Sequence, residues 1–530
     1  MKSQIVISGA LHPSIIERFE ANPSFKITYI PDCSRSELEE KIKNAHVLVS
    51  RSETNVDKEL IDVATNLKVI ARAAVGVGNI DIEYATNRGI LVLNCPGKNT
   101  NSAAELTMGL LICMMRNIPQ AHQHLKTGGW DRHMFSGNEL RHKKIGLVGL
   151  GNVGHRVAKF CRGFDMELYG YDPYISPLQF EKNHVQRVES LAELAETVDV
   201  LTVHVPLNKE TRGMVNQSIL QRMQPGSFVI NAARGGVISE NDLLAALNHG
   251  NIVGAGIDTW ENEPKPLAEL LNHPKVWVTP HIGATTVEAQ LAIGESVLDQ
   301  VENALGGGVV DHPVNLPNVG IIDNQQLKSY AVLAEKLGSI LGQIIDFNPV
   351  KFDISYRGNI ADNENKLVRL GFLKGYASQV VDGLVSFVNV EKHVEKMGIR
   401  VEEIDDSQFD HYKSAIKILV TGPQDKKITL GGVVFDDNYL RLTLLNDFYF
   451  ELEPDGEILV IQNYDRPGVI GDVGQFLANN KINIDSFTLS RNKKGGEAMA
   501  LVRVDSSIPT AKLDELSQIK NLISVKQISL

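Results

Sequence analysis

Three ionisable residues stand near the ends of candidate strands. Arg234 follows Val229-Ile-Asn-Ala-Ala233, Glu263 follows Asp258-Thr-Trp-Glu-Asn262, and His281 follows Val278-Thr-Pro280. If these runs are parallel strands, the three side chains fall on the strand-end edge where open α/β sheets bind their ligands. Taken singly, each has an ordinary reading. A loop arginine is usually a solvated charge, Glu263 before Pro264 can begin a turn, and most histidines titrate without consequence. Together they meet the needs of 2-hydroxy acid oxidation: a cation for the carboxylate, a base for the hydroxyl proton, and a carboxylate to steady the base.

Such an oxidation needs a hydride acceptor, and one stretch supplies a place for it. Ile145-Gly-Leu-Val-Gly149-Leu-Gly151-Asn152-Val153-Gly154 reads as a buried strand ending in a G-x-G-x-x-G turn, with a helical pattern (Val157, Ala158, Phe160, Cys161) directly after. Gly149 permits the tight turn, Gly151 lets the backbone approach a pyrophosphate, and Gly154 lets helix and strand pack closely. The helix N-terminus offers free N–H groups to the phosphates. A second strand, Glu167–Tyr171, follows at βαβ distance and ends on Asp172. A carboxylate there accepts ribose hydroxyls and repels a 2′-phosphate, so the expected cofactor is NAD.

The elements around these residues alternate. From Gln4 to Leu93, short strands (Ile5–Ile7, Lys26–Ile30, Val47–Val49, Val69–Ile70, Leu91–Leu93) are separated by amphipathic stretches such as Pro13–Phe19, Ser36–Lys43 and Asp57–Ala64. That order predicts a parallel sheet covered on both faces. It carries no dinucleotide fingerprint, and its strand ends hold polar clusters, Ser50–Thr54 and Arg72–Asn79, which are candidate substrate contacts. Ser102–Arg116, with Glu105 in its first turn, predicts a buried helix leading into the nucleotide half, whose further strands are Val198–Val205, Ser227–Asn231, Gly254–Asp258 and Val276–Thr279. A helical stretch, Thr286–Leu305, returns the chain to the first domain, and Gly306-Gly-Gly308, Pro313 and Pro317 mark a boundary. A helix (Leu327–Ile345) and alternating strands follow to Pro454. The tail reads strand, helix, strand, strand, helix, strand (Ile458–Gln462, Gly468–Asn479, Asn483–Arg491, Ala498–Asp505, Thr510–Ser517, Ile523–Ile528), the ferredoxin-like order. Asp465, with Pro467 beside it, is placed to cap the first of these helices.

Composition sets outer limits. The 530 residues are 43% hydrophobic and 22% charged with a net charge of -11, ordinary for a multidomain globular chain and without the basic footprint of a nucleic-acid binder. No apolar run reaches the ~20 residues of a membrane span, and the N-terminus reads as a strand rather than a leader. The four cysteines, Cys33, Cys95, Cys113 and Cys161, are scattered, which predicts reduced thiols and a cytoplasmic protein. No metal site is expected.

Ser102-Ala-Ala-Glu-Leu-Thr, the Gly149 loop, His204-Val-Pro206, Asn231-Ala-Ala-Arg-Gly-Gly236, Asp258 to Pro264 and Pro280-His-Ile-Gly-Ala284 resemble, in order and spacing, the D-2-hydroxyacid dehydrogenases. Over its full length the chain resembles the long members of that family. Gln462-Asn-Tyr-Asp465-Arg-Pro-Gly-Val-Ile-Gly471 with Ile482-Asn483-Ile484 resembles an ACT domain. Leu333–Gly338, Val388-Asn-Val390 and Gly432–Phe435 resemble, more loosely, the intervening domain. The implied fold is α/β. Two doubly wound parallel-sheet domains, Rossmann- and flavodoxin-like, precede an α+β intervening domain and a ferredoxin-like βαββαβ ACT domain. The implied boundaries are 1–98 with 285–315 (substrate), 99–284 (NAD), 316–454 and 455–530.

The resemblance also implies roles. His281 takes the C2 hydroxyl proton, Glu263 orients its ring, and Arg234 binds the carboxylate. Gly149, Gly151, Asn152, Val153, Gly154, Asp172, His204, Pro206, Thr211, Ala232, Asp258 and Gly283 attend the NAD. Arg51, Ser52, Arg72, Val75, Gly76, Asn79 and Arg132 attend the substrate, with Arg132 on a segment (Trp130-Asp-Arg-His) able to reach across a dimer contact. Asn463, Asp465 and Asn483 would bind L-serine across paired tails. The implied substrate is D-3-phosphoglycerate, oxidised to 3-phosphohydroxypyruvate on the route to serine, in a homotetramer with feedback through the tail. Two departures bear on the substrate: the family commonly reads R-A-G-x-G-x-D-N where this chain has Arg72-Ala-Ala74-Val-Gly76-Val-Gly78-Asn79. Trp260 stands where phenylalanine is usual. Other hydroxy acids (glycerate, lactate, 2-hydroxyglutarate) and an NAD-sensing binding protein remain as alternative readings.

Overall fold

The computed structural model describes residues 2–306, 310, 312–316, 325–362, 365–406 and 412–530. The expected boundary at Gly306-Gly-Gly308, Pro313 and Pro317 falls largely on residues 307–309, 311 and 317–324, outside the described residues.

Among the described residues, four sheets organise the chain. The first is five-stranded and parallel, in spatial order Phe25–Ile30, Ser3–Ser8, Val47–Ser50, Val69–Arg72, Leu91–Leu93. This is the flavodoxin-like 2-1-3-4-5 order. Val47–Ser50 and Val69–Arg72 are buried at every residue, as strands covered on both faces must be. Helix Val287–Gly306 returns to this sheet, where Ile293, Val297, Leu298 and Val301 share a core with Ile5, Ile7 and Ile15.

The second sheet is seven-stranded and parallel. Its order is Val276–Val278, Ile252–Ile257, Ser227–Asn231, Val200–Val203, Lys144–Val148, Glu167–Tyr171, Gln186–Arg187. The strand order reverses between Val200–Val203 and Lys144–Val148, which opens a crevice at their carboxyl ends. Helix Thr100–Arg116 packs Ala104, Met108, Leu111 and Met114 into this domain's core. It starts earlier than its sequence suggests, with the Thr100 hydroxyl donating to Gly97 O (2.9 Å), so Glu105 lies exposed in the second turn.

The third sheet is mixed: Arg400–Asp406, Lys351–Gly358, Ser414–Thr421, Lys427–Phe435, Tyr439–Leu445, Phe448–Leu452, parallel only in its first pair. Lys351–Gly358 alternates half-buried and buried residues, so Phe352, Ile354 and Tyr356 share one face with helices Gln325–Ile344 and Lys366–Val380.

The fourth sheet, Ile484–Arg491, Glu497–Val504, Glu457–Tyr464, Leu522–Ser529, is antiparallel and carries helices Val469–Asn479 and Thr510–Ser517. Both of its faces are covered. Leu459, Ile461 and Val502 pack under the helices, whereas Ile458, Val460, Met499, Leu501 and Ile528 join the core of the third sheet. Ser529 N donates to Gln343 (2.9 Å), Lys336 pairs with Asp455 (2.9 Å), and the Lys526 ammonium donates to Ile344 O at the carboxyl end of helix Gln325–Ile344, where a cation is favoured.

One cap differs from expectation. Helix Val469–Asn479 starts from Gly468 (φ 100°) with no side-chain cap. The turn through Arg466–Gly468 carries Asp465 away from the helix, and its carboxylate instead accepts from Gly495 N (2.8 Å) and Arg491 (3.3 Å).

Candidate active site

The three expected catalytic residues meet at the carboxyl ends of strands Ser227–Asn231, Ile252–Ile257 and Val276–Val278, and each is held by its own loop. Asn231, 4% exposed, accepts from Ala233 N and the Thr259 hydroxyl (3.2 Å each) and donates to Arg234 O (3.0 Å), which fixes the arginine loop. Asp258, fully buried, spends its carboxylate on the histidine loop. It accepts from the Thr279 hydroxyl (2.6 Å), Ile282 N (2.8 Å) and Gly283 N (3.1 Å), while Asp258 O accepts from His281 N (2.9 Å). These bonds hold His281 at φ 55°, an unusual conformation for a residue with a Cβ. Asp258 and Gly283 therefore act here as a brace beneath His281. Trp260 fits in place of phenylalanine because its indole N–H reaches Thr279 O (3.2 Å).

The Glu263 carboxylate faces His281 Nδ1 with both oxygens, at 2.8 and 3.0 Å, and accepts from Trp260 N (3.0 Å). A carboxylate only accepts, so Nδ1 carries the proton and Nε2 is left with its lone pair. The bond to Glu263 outweighs burial and raises the His281 pKa above its ordinary value. Burial pushes Glu263 up, but its bonds from His281 and Trp260 prevail and hold it ionised below the usual range. Burial lowers the Arg234 pKa and nearby Glu263 counteracts this. Arg234 reaches across to the first domain: a Cβ on Gly76 would stand 3.6 Å from its guanidinium.

The crevice fits a dinucleotide on its own geometry. Gly149 has φ 91°, and a Cβ on Gly154 would lie 2.1 Å from Gly149 O, so both positions require glycine. A Cβ on Gly151 would meet nothing within 4 Å, which leaves that face of the loop open. Helix Asn152–Gly163 begins from Gly151 without a side-chain cap, so Asn152, Val153 and their neighbours present free N–H groups. Asp172 accepts from Leu150 N and Tyr174 N (2.9 Å each), one per oxygen, and each oxygen keeps lone-pair capacity for a ribose hydroxyl. His204 is half-buried beside the Thr202 hydroxyl (3.1 Å), and desolvation pushes it down to about 4, so the ring is neutral. Ala232 is 8% exposed, and the Thr211 hydroxyl donates to Pro206 O (2.5 Å). Beside the loop, Gly97, Lys98, Ser102, Asn152, Arg156 and Glu288 border a cavity of about 470 Å³.

The substrate-side residues divide. Gly76 faces Arg234, and Asn94 secures the same loop by donating to Val75 O (2.8 Å). Arg72 is fully buried, bonded to Asn79 (2.6 Å) and Thr54 O (3.4 Å), while Asn79 donates to Ser52 O (2.6 Å) and Thr54 O (2.7 Å). Arg72 and Asn79 thus tie the Ser52–Thr54 loop to the end of strand Val69–Arg72. Burial lowers Arg72 to about 10, and among the described residues its Nε and Nη1 have no hydrogen-bond partner. Arg51 donates to Ala10 O (2.6 Å) and to Gln290 (2.5 Å), which in turn donates to Ala284 O (2.8 Å) behind the histidine loop. Arg132 stands apart on an exposed segment with Trp130 (87% exposed) and Met134.

In the tail, Asn463 is 5% exposed and donates to Tyr464 O (2.8 Å), whereas Asn483 donates to Asp505 (2.9 Å). With Asp465 held by Arg491, the three residues are each engaged within the chain. Sequence reasoning missed Gln290, Glu240 and the Tyr174 hydroxyl bonded to Glu210. Their partners lie 239, 21 and 36 residues away, and no local pattern announces them.

Residues 108–283 match the NAD-binding domain of the D-isomer specific 2-hydroxyacid dehydrogenases. Residues 326–446 match the D-3-phosphoglycerate dehydrogenase intervening domain, and 458–521 match the ACT domain. The chain is 37% identical to a D-3-phosphoglycerate dehydrogenase of Methanocaldococcus jannaschii over 99% of this chain and 100% of that one. It is 35% identical to the D-3-phosphoglycerate dehydrogenase of Bacillus subtilis over 93% and 94%. The crystal structure of the TT0316 protein of Thermus thermophilus superposes with a TM-score of 0.55 at 30% identity, covering 59% of this chain and 99% of that one. An NAD-dependent oxidoreductase site is thus built on this fold, and the chain belongs to the D-3-phosphoglycerate dehydrogenase family.

Proposed function

We propose that the protein oxidises D-3-phosphoglycerate to 3-phosphohydroxypyruvate, the reaction that opens the phosphorylated route to L-serine. One observation carries the chemistry: a carboxylate-held histidine with a free Nε2 beside a half-buried arginine that faces the glycine loop of the first domain. Bound NAD supplies the acceptor for the C2 hydride. Arg234 pairs with the substrate carboxylate and polarises the C2 oxygen, which its planar fork suits. His281 Nε2 takes the C2 hydroxyl proton, and Glu263 stabilises the resulting imidazolium. The backbone of Val75 and Gly76 lies against the substrate, and Arg51 and Arg132 are the cations for its phosphate. Residues 1–98 with 285–315 hold the substrate and 99–284 the NAD; 316–454 form the intervening domain and 455–530 the ACT domain.

Arg132, on an exposed segment, is proposed to serve the cleft of a second copy. Helix Ile118–Lys126 buries none of its residues, and Ile118, Leu125, Trp130 and Met134 are 46, 56, 87 and 65% exposed. An uncovered apolar face of this kind suits a homodimer through the nucleotide domain, from which a tetramer is built. L-serine is the effector of the tail, at Asn463, Asp465 and Asn483. All four cysteines are free, as a cytoplasmic protein requires, and among the described residues no helix is long and apolar enough to cross a membrane.

The test compares NAD reduction with D-3-phosphoglycerate, D-glycerate, D-lactate and 2-hydroxyglutarate. Turnover restricted to the phosphorylated acid supports the reading. Equal or better kcat/KM with an unphosphorylated acid overturns it.

A further inference from the structure

A buried carboxylate outside the catalytic trio is tied to the loop that carries Glu263. Glu240, the first residue of helix Glu240–His249, is 7% exposed. Its carboxylate accepts from Glu261 N at 2.6 Å and also from the backbone of Leu267, while Glu240 N donates to the Glu261 carboxylate at 3.1 Å. The two glutamates thus cap one another's backbones, and the bonds from 261 and 267 bracket Glu263. A buried carboxylate is costly, more so with the charges of Glu261 and Glu263 near it, and apolar packing would serve stability better. What the carboxylate adds is direction: it fixes two backbone N–H groups at defined points. The other side of the same loop is equally constrained, since a Cβ on Gly235 would fall 1.9 Å from Trp260 O. Glu263 therefore projects from a segment pinned on the arginine-loop side by Gly235 and on the helix side by Glu240.

We infer that Glu240 is a positioning residue for the Glu263–His281 pair, its carboxylate clasping the 261–267 loop so that both Glu263 oxygens face His281 Nδ1. The inference rests on the acid–base reading of that pair. Without the clasp the loop drifts, the bond to His281 weakens, and the ring loses basicity, while the Gly149 turn, which follows strand Lys144–Val148 farther along the same sheet, is untouched.

The experiment uses full-length Glu240→Ala and Glu240→Gln, with His281→Asn as control. It reads kcat and the KM for NAD across pH in the oxidation direction, with thermal unfolding as the folding check. Glu240→Ala is expected to lower kcat about tenfold and to move the acidic limb of kcat/KM down by about half a pH unit or more, with the KM for NAD within about twofold of wild type. Glu240→Gln, which keeps one acceptor oxygen, is expected to fall between. An acidic limb that stays at its wild-type position overturns the clasp whatever the activity, because partial unfolding lowers rates without moving a pKa. If Glu240→Ala does not fold, the limb of Glu240→Gln decides. Full turnover by His281→Asn would instead overturn the acid–base reading itself.

Discussion

Glu263 and His281 lie 18 residues apart on separate loops, and both oxygens of the one reach Nδ1 of the other, at 2.8 and 3.0 Å. Asp258 holds the histidine loop from beneath and Trp260 N holds the glutamate, so the pair is set by the chain's own hydrogen bonds. The result is a histidine whose proton affinity is raised and whose Nε2, in the proposed mechanism, takes the substrate proton.

The direction of that shift fixes the pH dependence. In the proposed mechanism oxidation needs neutral His281, so its rate is expected to rise with pH through a limb above the ordinary histidine value of 6.5. Reduction of the oxo acid needs the imidazolium and falls through the same limb. Replacing Glu263 with Gln removes the raising partner, and the limb in both directions is expected to move toward or below 6.5, with kcat down about 10²-fold. Rate profiles in the two directions measure this; a limb that does not move contradicts it. The same sign applies to stability. His281 binds its proton more tightly when folded, so its contribution is fully present below 6.5 and is lost as pH rises through the folded value.

Gly154→Ala tests the cofactor loop. The added methyl would sit 2.1 Å from Gly149 O, a backbone atom that can yield only if the turn shifts. Overpacking of this kind costs about 1–3 kcal/mol, seen as a lower Tm. The KM for NAD should rise about tenfold or more, with a smaller effect on kcat at saturating NAD. Calorimetry and NAD titration read both quantities.

Much of this was legible in the chain before its structure. The βαβ pattern located the strands of the two parallel sheets apart from the short Gln186–Arg187, because buried parallel strands are apolar throughout and their helices begin at recognisable signals. The edge strands of the mixed sheet, such as Arg400–Asp406 and Phe448–Leu452, were not singled out by it. The glycine spacing located the dinucleotide turn, since only a residue without a Cβ tolerates 2.1 Å to a carbonyl. The burial of Arg72 was not legible. An arginine after an apolar strand reads as a surface cation, and only the tertiary placement of Thr54 and Asn79 encloses it. Asp465 misled in a similar way: D-x-P before a helix signals a cap, yet a hairpin 30 residues later offers Gly495 N as a competing donor.

Trp130→Glu addresses assembly. A charge placed on the most exposed tryptophan of the uncovered face is expected to halve the assembled mass by light scattering and to lower kcat/KM for the phosphorylated substrate through loss of Arg132. An unchanged mass contradicts the proposed interface.

The tail makes a separate prediction. Arg491 occupies the Asp465 carboxylate that an amino-acid ammonium would need, so Arg491→Gln should lower the L-serine concentration that half-inhibits turnover. Isothermal titration with L-serine checks the same competition directly. No heat with either protein contradicts serine binding at this place.

The central claim is that His281 carries the proton of a hydride-transfer reaction on 3-phosphoglycerate. Its most direct test is turnover of wild type and His281→Asn in both directions, from D-3-phosphoglycerate with NAD and from 3-phosphohydroxypyruvate with NADH, each with an NADH-binding titration. The expected result is a loss of kcat of about 10³-fold or more in both directions with NADH affinity unchanged. A variant that binds NADH and turns over within tenfold of wild type would contradict the account.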